Sequence, residues 1–379
     1  MLKDQTSESD TMIGLNRREF LAVAGGSALL TMAGGVMPES VEAAVAATRS
    51  LRWGIVGTGG IANWMAQMIP PADFAELGAV SSRRLENAQE FAGRHGIGRA
   101  FDSWEEMIAY DGVDAIYIAT PTSVREDIAV AAAKQGKHVL GEKPFASFPS
   151  LRRITDACRD NGVGFMDGTH FVHHPRTPAI RAAMAERGGW PWSLDSAFQF
   201  PLADRGNIRY NPDLEPMGAI GDAGWYNMRA AVEYLAPGAE VESVSAYLRR
   251  DEQSGAAISG SGVILFDDGS TTTWNCGFDS GAVIMDLRIT GADGVISVDD
   301  FLSQNPDGSA DYLYRKGGWG PGVVNETVNV ASAKPGPVLM FEDFAKMVGD
   351  NSLFEQSVGA SERTQRLLDA IWLAGRENE

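Results

Sequence analysis

Several things are scarce in this chain of 379 residues, and each shortage removes a class of explanation. Cys158 and Cys276 are the only cysteines, the first in a predicted helix and the second in a predicted strand far along the chain. One pair defines no disulfide framework, so two separate buried thiols are expected. No basic run is present to displace counterions from phosphates, and the formal net charge is -18, which argues against a nucleic-acid partner. Lysines number seven against twenty-five arginines, leaving few candidates for a catalytic amine. Histidines cluster at His170, His173 and His174, but no carboxylate or thiol completes a recognisable ligand set beside them, so no metal is expected. The apolar stretch near the N-terminus is short and glycine-rich for a membrane span. No later stretch offers eighteen apolar residues free of charge, so the mature protein is expected to be soluble.

What the chain does have begins with Asn16-Arg17-Arg18-Glu19-Phe20-Leu21, a twin-arginine export signature. It opens an apolar Gly/Ala-rich stretch to Val36, with small-residue cleavage candidates around Ala43 to Ala47. Residues 1–46 are therefore expected to be a signal peptide read by the twin-arginine export machinery, which delivers folded proteins to the periplasm or its equivalent.

Two domains are expected after the leader. Residues 47–169 alternate short apolar runs (Trp53–Val56, Leu77–Ser81, Ala115–Ala119, His138–Leu140, Val163–Met166) with amphipathic helical stretches such as Leu85–His95 and Val124–Gln135. That alternation predicts a parallel sheet. Residues 170–379 change character, with alternating runs at Ser193–Phe200, Val241–Leu248, Ser259–Phe266, Thr271–Phe278 and Val283–Thr290. Turns at Asp267-Asp268-Gly269-Ser270 and Ala292-Asp293-Gly294 mark an antiparallel sheet. Helices are expected at Ala223–Leu235, Val338–Val348 and Ser361–Arg376. An open sheet face with alternating apolar residues predicts a homodimer or homotetramer.

The first strand runs into Gly57-Thr58-Gly59-Gly60-Ile61-Ala62, a G-x-G-x-x-A fingerprint. Gly57 permits the tight turn, Gly59 lets backbone amides approach a pyrophosphate, and Ala62 lets helix and strand pack closely. The helix N-terminus adds partial positive charge. At the end of the second strand, where an NAD-preferring fold usually places a carboxylate, stand Ser81-Ser82-Arg83-Arg84. Hydroxyls beside two guanidinium groups suit a 2′-phosphate, so NADP is expected over NAD.

Together with the fingerprint and Ala119-Thr120-Pro121, the segment Gly141-Glu142-Lys143-Pro144 resembles the glucose–fructose oxidoreductase/inositol dehydrogenase (Gfo/Idh/MocA) family. The resemblance implies a Rossmann domain followed by an open antiparallel sheet. It also implies that Thr120, Pro121, Glu142 and Lys143 lie beside the nicotinamide, with Lys143 acting in substrate binding and catalysis. An ammonium at the carboxyl edge of a parallel sheet can polarise a carbonyl or stabilise an alkoxide. Gly221-Asp222-Ala223-Gly224-Trp225-Tyr226 matches the family's Gly-Asp-x-Gly-x-His pattern except that Tyr226 replaces His. Glucose–fructose oxidoreductases and dimeric dihydrodiol dehydrogenases share that tyrosine. The resemblance implies that Asp222 orients substrate and Tyr226 relays a proton. It also brings the segment from Met166 to Arg176, with His170 and His173, near the substrate. Arg125 falls where many members have His; contact with cofactor or substrate and plain solvation stay open for it.

These residues point to an exported NADP-dependent oxidoreductase moving hydride between a sugar, or a related polyol or carbonyl, and a tightly held nucleotide. Two other readings remain: a redox-neutral NAD-dependent glycosidase or lyase, and a non-catalytic sugar or nucleotide sensor. A sensor needs neither Lys143 nor Tyr226.

Overall fold

The computed structural model describes residues 50–186 and 189–378. The twin-arginine segment and the expected leader lie outside the described residues. Strands β1 (Leu51–Val56), β2 (Ala75–Ser81), β3 (Ala100–Phe101), β4 (Ala115–Ile118), β5 (His138–Gly141) and β6 (Phe165–Asp167) form a parallel sheet in the order β3-β2-β1-β4-β5-β6. Helices α1 (Gly60–Met68), α2 (Leu85–His95), α3 (Trp104–Ala109), α4 (Thr122–Lys134) and α5 (Phe148–Asp160) connect them. The central strands read as unbroken apolar runs because both faces are covered, and every residue of β4 is buried. Strand order reverses between β1 and β4, opening a crevice at the carboxyl ends where such folds bind ligands. Gly57, Ser82, Thr120 and Lys143 all follow strands at that edge. The two-residue β3 is too short to leave an alternating pattern in the sequence.

After α6 (Arg176–Glu186) comes a nine-stranded sheet: β7 (Ser193–Pro201), β8 (Val241–Arg250), β9 (Ala257–Phe266), β10 (Thr271–Gly277), β11 (Asp279–Ile284), β12 (Leu287–Gly291), β13 (Gly294–Val298), β14 (Ala310–Lys316) and β15 (Val324–Val330). It is antiparallel except that β10 runs parallel to β7. The run expected as one strand at Val283–Thr290 is broken: β11 ends at Ile284 and β12 begins at Leu287. The last strand escapes a patterning argument, since β15 is an exposed edge reading Val-Asn-Glu-Thr-Val-Asn-Val.

Helices α7 (Gly218–Asp222) and α8 (Gly224–Tyr234) contact the second sheet; α8 is the helix expected at Ala223–Leu235, and the short α7 ahead of it was not foreseen. Gly218 permits the approach, since its φ is 50° and a Cβ there would clash with the Ala257 carbonyl oxygen of β9. Both cysteines are free and buried. The closing helices α9 (Gly336–Met347) and α10 (Asn351–Glu377) turn back toward the first sheet. Trp53 of β1 packs edge-on against Phe341 and Phe344 of α9 at 5.0 and 4.9 Å. α10 starts ten residues ahead of the apolar periodicity, where Asp350 caps the amides of Ser352 and Leu353.

The outward face of the second sheet is less apolar than the alternation predicted. One register row across it reads Ser245, Val263, Thr273, Asp195, Arg288, Ser297, Leu313 and Thr327. The alternating apolar residues are mostly those of the inner face, such as Leu248, Ile264, Trp274 and Ile289.

Candidate active site

The fingerprint turn has the shape its glycines require. Gly57 sits at φ 105°, and a Cβ there would lie 2.8 Å from the Ala119 carbonyl oxygen. Gly59 and Gly60 instead face open space at the start of α1, whose first turn has no side-chain cap. The first amides of α1 are thus available to an anion. The Thr58 and Ser82 hydroxyls stand 3.5 Å apart, and Arg83 and Arg84 are exposed next to them. Ile61 is exposed and Ala62 fully buried against the sheet. Open glycine amides and two free guanidinium groups at one sheet edge fit a dinucleotide with an additional phosphate.

The next loops are pinned by Arg125, which is 4 % exposed rather than solvated. Its guanidinium donates to the carbonyl oxygens of Thr120 (2.6 Å) and Pro144 and to the Thr122 hydroxyl (3.3 Å). It therefore joins the start of α4, with Pro121 at its N-cap, to the Lys143-Pro144 loop, whose peptide bond is cis. Glu142 is buried, and its Oε1 accepts the Tyr117 hydroxyl at 2.6 Å. Burial raises its pKa, with Lys143 pulling the other way. Gly168 makes room for that carboxylate, since a Cβ would come within 2.8 Å of Oε1.

Lys143 Nζ donates to the Asp222 carbonyl oxygen at 2.9 Å and to Oδ1 at 2.7 Å. Arg209 Nε donates to Asp222 Oδ2 at 2.6 Å and its Nη2 to Oδ1 at 3.1 Å. Burial works against the Asp222 charge, but the two cations outweigh it and hold the carboxyl far below its ordinary range. Tyr226 follows on α8, 7 % exposed, with Lys143 Nζ 4.6 Å from its ring centroid. Its phenol is pushed well up, first by burial and then by Glu142 and Asp222. Lys143, Asp222 and Tyr226, expected together from the motifs, are together.

Residues 51–169 match the model of an oxidoreductase family with an NAD-binding Rossmann fold, GFO_IDH_MocA. Across both domains, the chain is 31 % identical over 326 residues to D-xylose 1-dehydrogenase (NADP(+)) 2 of Haloferax volcanii, covering 85 % of this chain and 96 % of that one. The chain belongs to the Gfo/Idh/MocA oxidoreductase family. Another relative is scyllo-inositol 2-dehydrogenase (NADP(+)) of Bacillus subtilis, 28 % identical over 80 % of this chain and 90 % of its own. Among solved structures, aldose-aldose oxidoreductase from Caulobacter crescentus superposes with a TM-score of 0.76 at 21 % identity, covering 87 % of this chain and 99 % of that one. The 3-ketoreductase KijD10 of Actinomadura kijaniata, solved with NADP and TDP-benzene, gives 0.76 at 24 %, covering 86 % and 98 %. Those two likenesses establish a shared fold.

The remaining predicted residues of this Gfo/Idh/MocA chain divide. His170 lies in the short turn His170–His173, its ring 6.0 Å from Tyr226 and buried, and burial lowers its pKa to about 3. His173 lies apart from that cluster's hydrogen bonds, its Nδ1 2.9 Å from Asp343 of α9. His174 bonds the Gly308 carbonyl at 2.8 Å, and Arg176 reaches the carbonyls of Ser303 and Asp311 at 3.3 and 3.4 Å. These three brace loops. Beneath the site Asp167 accepts Arg229 Nη1 at 2.7 Å and the Ser361 hydroxyl at 2.5 Å, tying β6 to α8 and α10. Arg209 was missed by sequence reasoning. It stands in an irregular segment, Ile208–Tyr210, thirteen positions ahead of its partner, and no periodicity marks it.

Proposed function

We propose that the protein is an exported, NADP-dependent oxidoreductase that moves hydride between a hydroxyl-bearing carbon of a sugar or polyol and a nucleotide it does not release. The observation that carries this reading is the Lys143–Asp222–Arg209 cluster beside Tyr226, at the sheet edge that also bears the Gly57–Ala62 cradle. NADP is the cofactor: two relatives are NADP(+) dehydrogenases of a sugar and an inositol, and Arg83 and Arg84 stand free at the end of β2.

When bound, the nicotinamide accepts or gives the hydride. An ammonium has three hydrogens, and Lys143 gives two to Asp222, keeping one for a substrate oxygen. Asp222 fixes that ammonium and is itself held ionised by Arg209. Tyr226 keeps its proton at neutral pH, so in the reducing direction it donates to the nascent alkoxide. In the oxidising direction the phenol must first release that proton to solvent, and the Arg209 guanidinium lowers the cost of the phenolate.

Outside the cytoplasm free nucleotide is scarce, so a dissociated cofactor would be lost by mass action. One sugar therefore reduces the held nucleotide and a second reoxidises it, giving ping-pong kinetics. The exposed Tyr247, Val263 and Val283 on the second sheet, rather than a continuous apolar face, support a contact there between protomers of a homodimer or homotetramer. Purified protein should keep nucleotide absorbance through extensive dialysis and turn over a donor and acceptor sugar without added NADP. An apo preparation that saturates with added NADP would leave a conventional dehydrogenase. Cleavage of a glycosidic bond with no net redox change would point to the glycosidase reading instead.

A further inference from the structure

Helix α1 buries Ala62, Met65 and Ala66 against the sheet, yet leaves Ile61 and Trp64 36 % and 40 % exposed on another face. An indole is among the largest apolar groups a chain can leave in water, and burying it would be favourable. Its described aromatic neighbour is His170, with ring centroids 5.2 Å apart and planes at 86°. His170 is only 9 % exposed, and its Nδ1 is buried without a hydrogen-bond partner. A buried, unpartnered imidazole nitrogen beside an open indole points to a ligand, because such atoms are normally satisfied.

We propose that Trp64 and His170 form a platform for the substrate's sugar ring, with Trp64 taking its apolar C–H face and His170 a ring hydroxyl. This rests on the sugar-oxidoreductase reading. A sugar has an apolar face and a polar rim, which suits one large aromatic surface next to one neutral donor–acceptor. Burial keeps the His170 imidazole uncharged, so it carries one N–H and one lone pair. The platform continues into the reacting groups: centroid steps are 5.2 Å from Trp64 to His170 and 6.0 Å to Tyr226, and Lys143 Nζ lies 4.6 Å beyond. Trp64 stands in the helix whose first turn faces the nucleotide phosphates, so the same element would position both reactants.

The test uses full-length protein loaded with NADP and compares steady-state sugar titrations for wild type, Trp64→Ala and Trp64→Phe. Trp64→Ala should raise the sugar KM about tenfold, ~1.4 kcal/mol. Its kcat should stay within about threefold and its NADP Kd within about twofold, the latter also reporting an intact fold. Trp64→Phe should recover most of the loss by restoring an aromatic face. An unchanged sugar KM in Trp64→Ala, or a loss confined to NADP, overturns the platform while the oxidoreductase reading stands. If wild type turns over no sugar or polyol, that reading fails and the platform fails with it.

Discussion

Lys143 and Asp222 meet twice, through the carboxylate at 2.7 Å and through the backbone carbonyl at 2.9 Å. The double contact fixes where the ammonium sits. Lys143→Met removes the polarising group while keeping most of the volume. Turnover should fall about a thousandfold with nucleotide affinity unchanged, the size expected when one preorganised donor to a developing oxyanion is lost. Single-turnover kinetics with nucleotide titration checks both, and near-normal turnover would move the active site elsewhere.

Arg209 holds Asp222 from the other side through two hydrogen bonds. It bonds the carboxylate that holds Lys143, so its loss should appear in the pH profile. With Arg209→Met, one of two counter-charges is gone and the Asp222 pKa rises toward its ordinary value. The acid limb of kcat should then shift to higher pH, and kcat at neutral pH should drop about tenfold. Arg209→Lys should recover little, because a point charge cannot reproduce the two-pronged contact. A lower kcat with an unmoved acid limb would leave Arg209 a loop brace.

The difference between those two residues shows what the sequence made legible. Lys143 and Asp222 sit in short motifs at strand and helix ends, where spacing alone implies placement. The parallel sheet was readable because both of its faces are covered and its central strands are dominated by buried apolar residues. Arg209, Arg125 and Glu142 owe their roles to contacts across 13, 19 and 25 positions, which no local pattern records. The return of Trp53's partners Phe341 and Phe344 from near the C-terminus was hidden for the same reason, and β15 because an exposed edge carries no apolar pattern.

His170 makes a stability prediction with a definite sign. Its folded pKa is lowered, chiefly by burial, to about 3 from an ordinary 6.5. The unfolded chain therefore binds the proton first, and stability from this site is full above about pH 6.5 and lost as pH falls toward 3. His170→Gln cannot titrate, so its melting temperature should fall less than wild type's across that window. Parallel curves from thermal unfolding at stepped pH would mean that His170 is solvated.

The proposed determinant of cofactor choice is the end of β2, where Arg83 and Arg84 follow Ser82 into solvent. On this proposal the phosphates common to NAD and NADP fall to the Gly57–Ala62 turn, and the arginines serve only the nucleotide with the additional phosphate. A guanidinium–phosphate contact is charge-assisted and often two-pronged, and two of them act on one dianion. Arg83→Ala with Arg84→Ala should therefore weaken NADP about a hundredfold, ~2.8 kcal/mol, while NAD changes less than about threefold. The NADP loss should shrink as salt is raised, because both side chains are exposed and screened. Calorimetric titration of both nucleotides into nucleotide-stripped protein reads these values directly. Equal losses for NAD and NADP would assign the arginines to the shared phosphates or to the fold, and the preference would then need another residue.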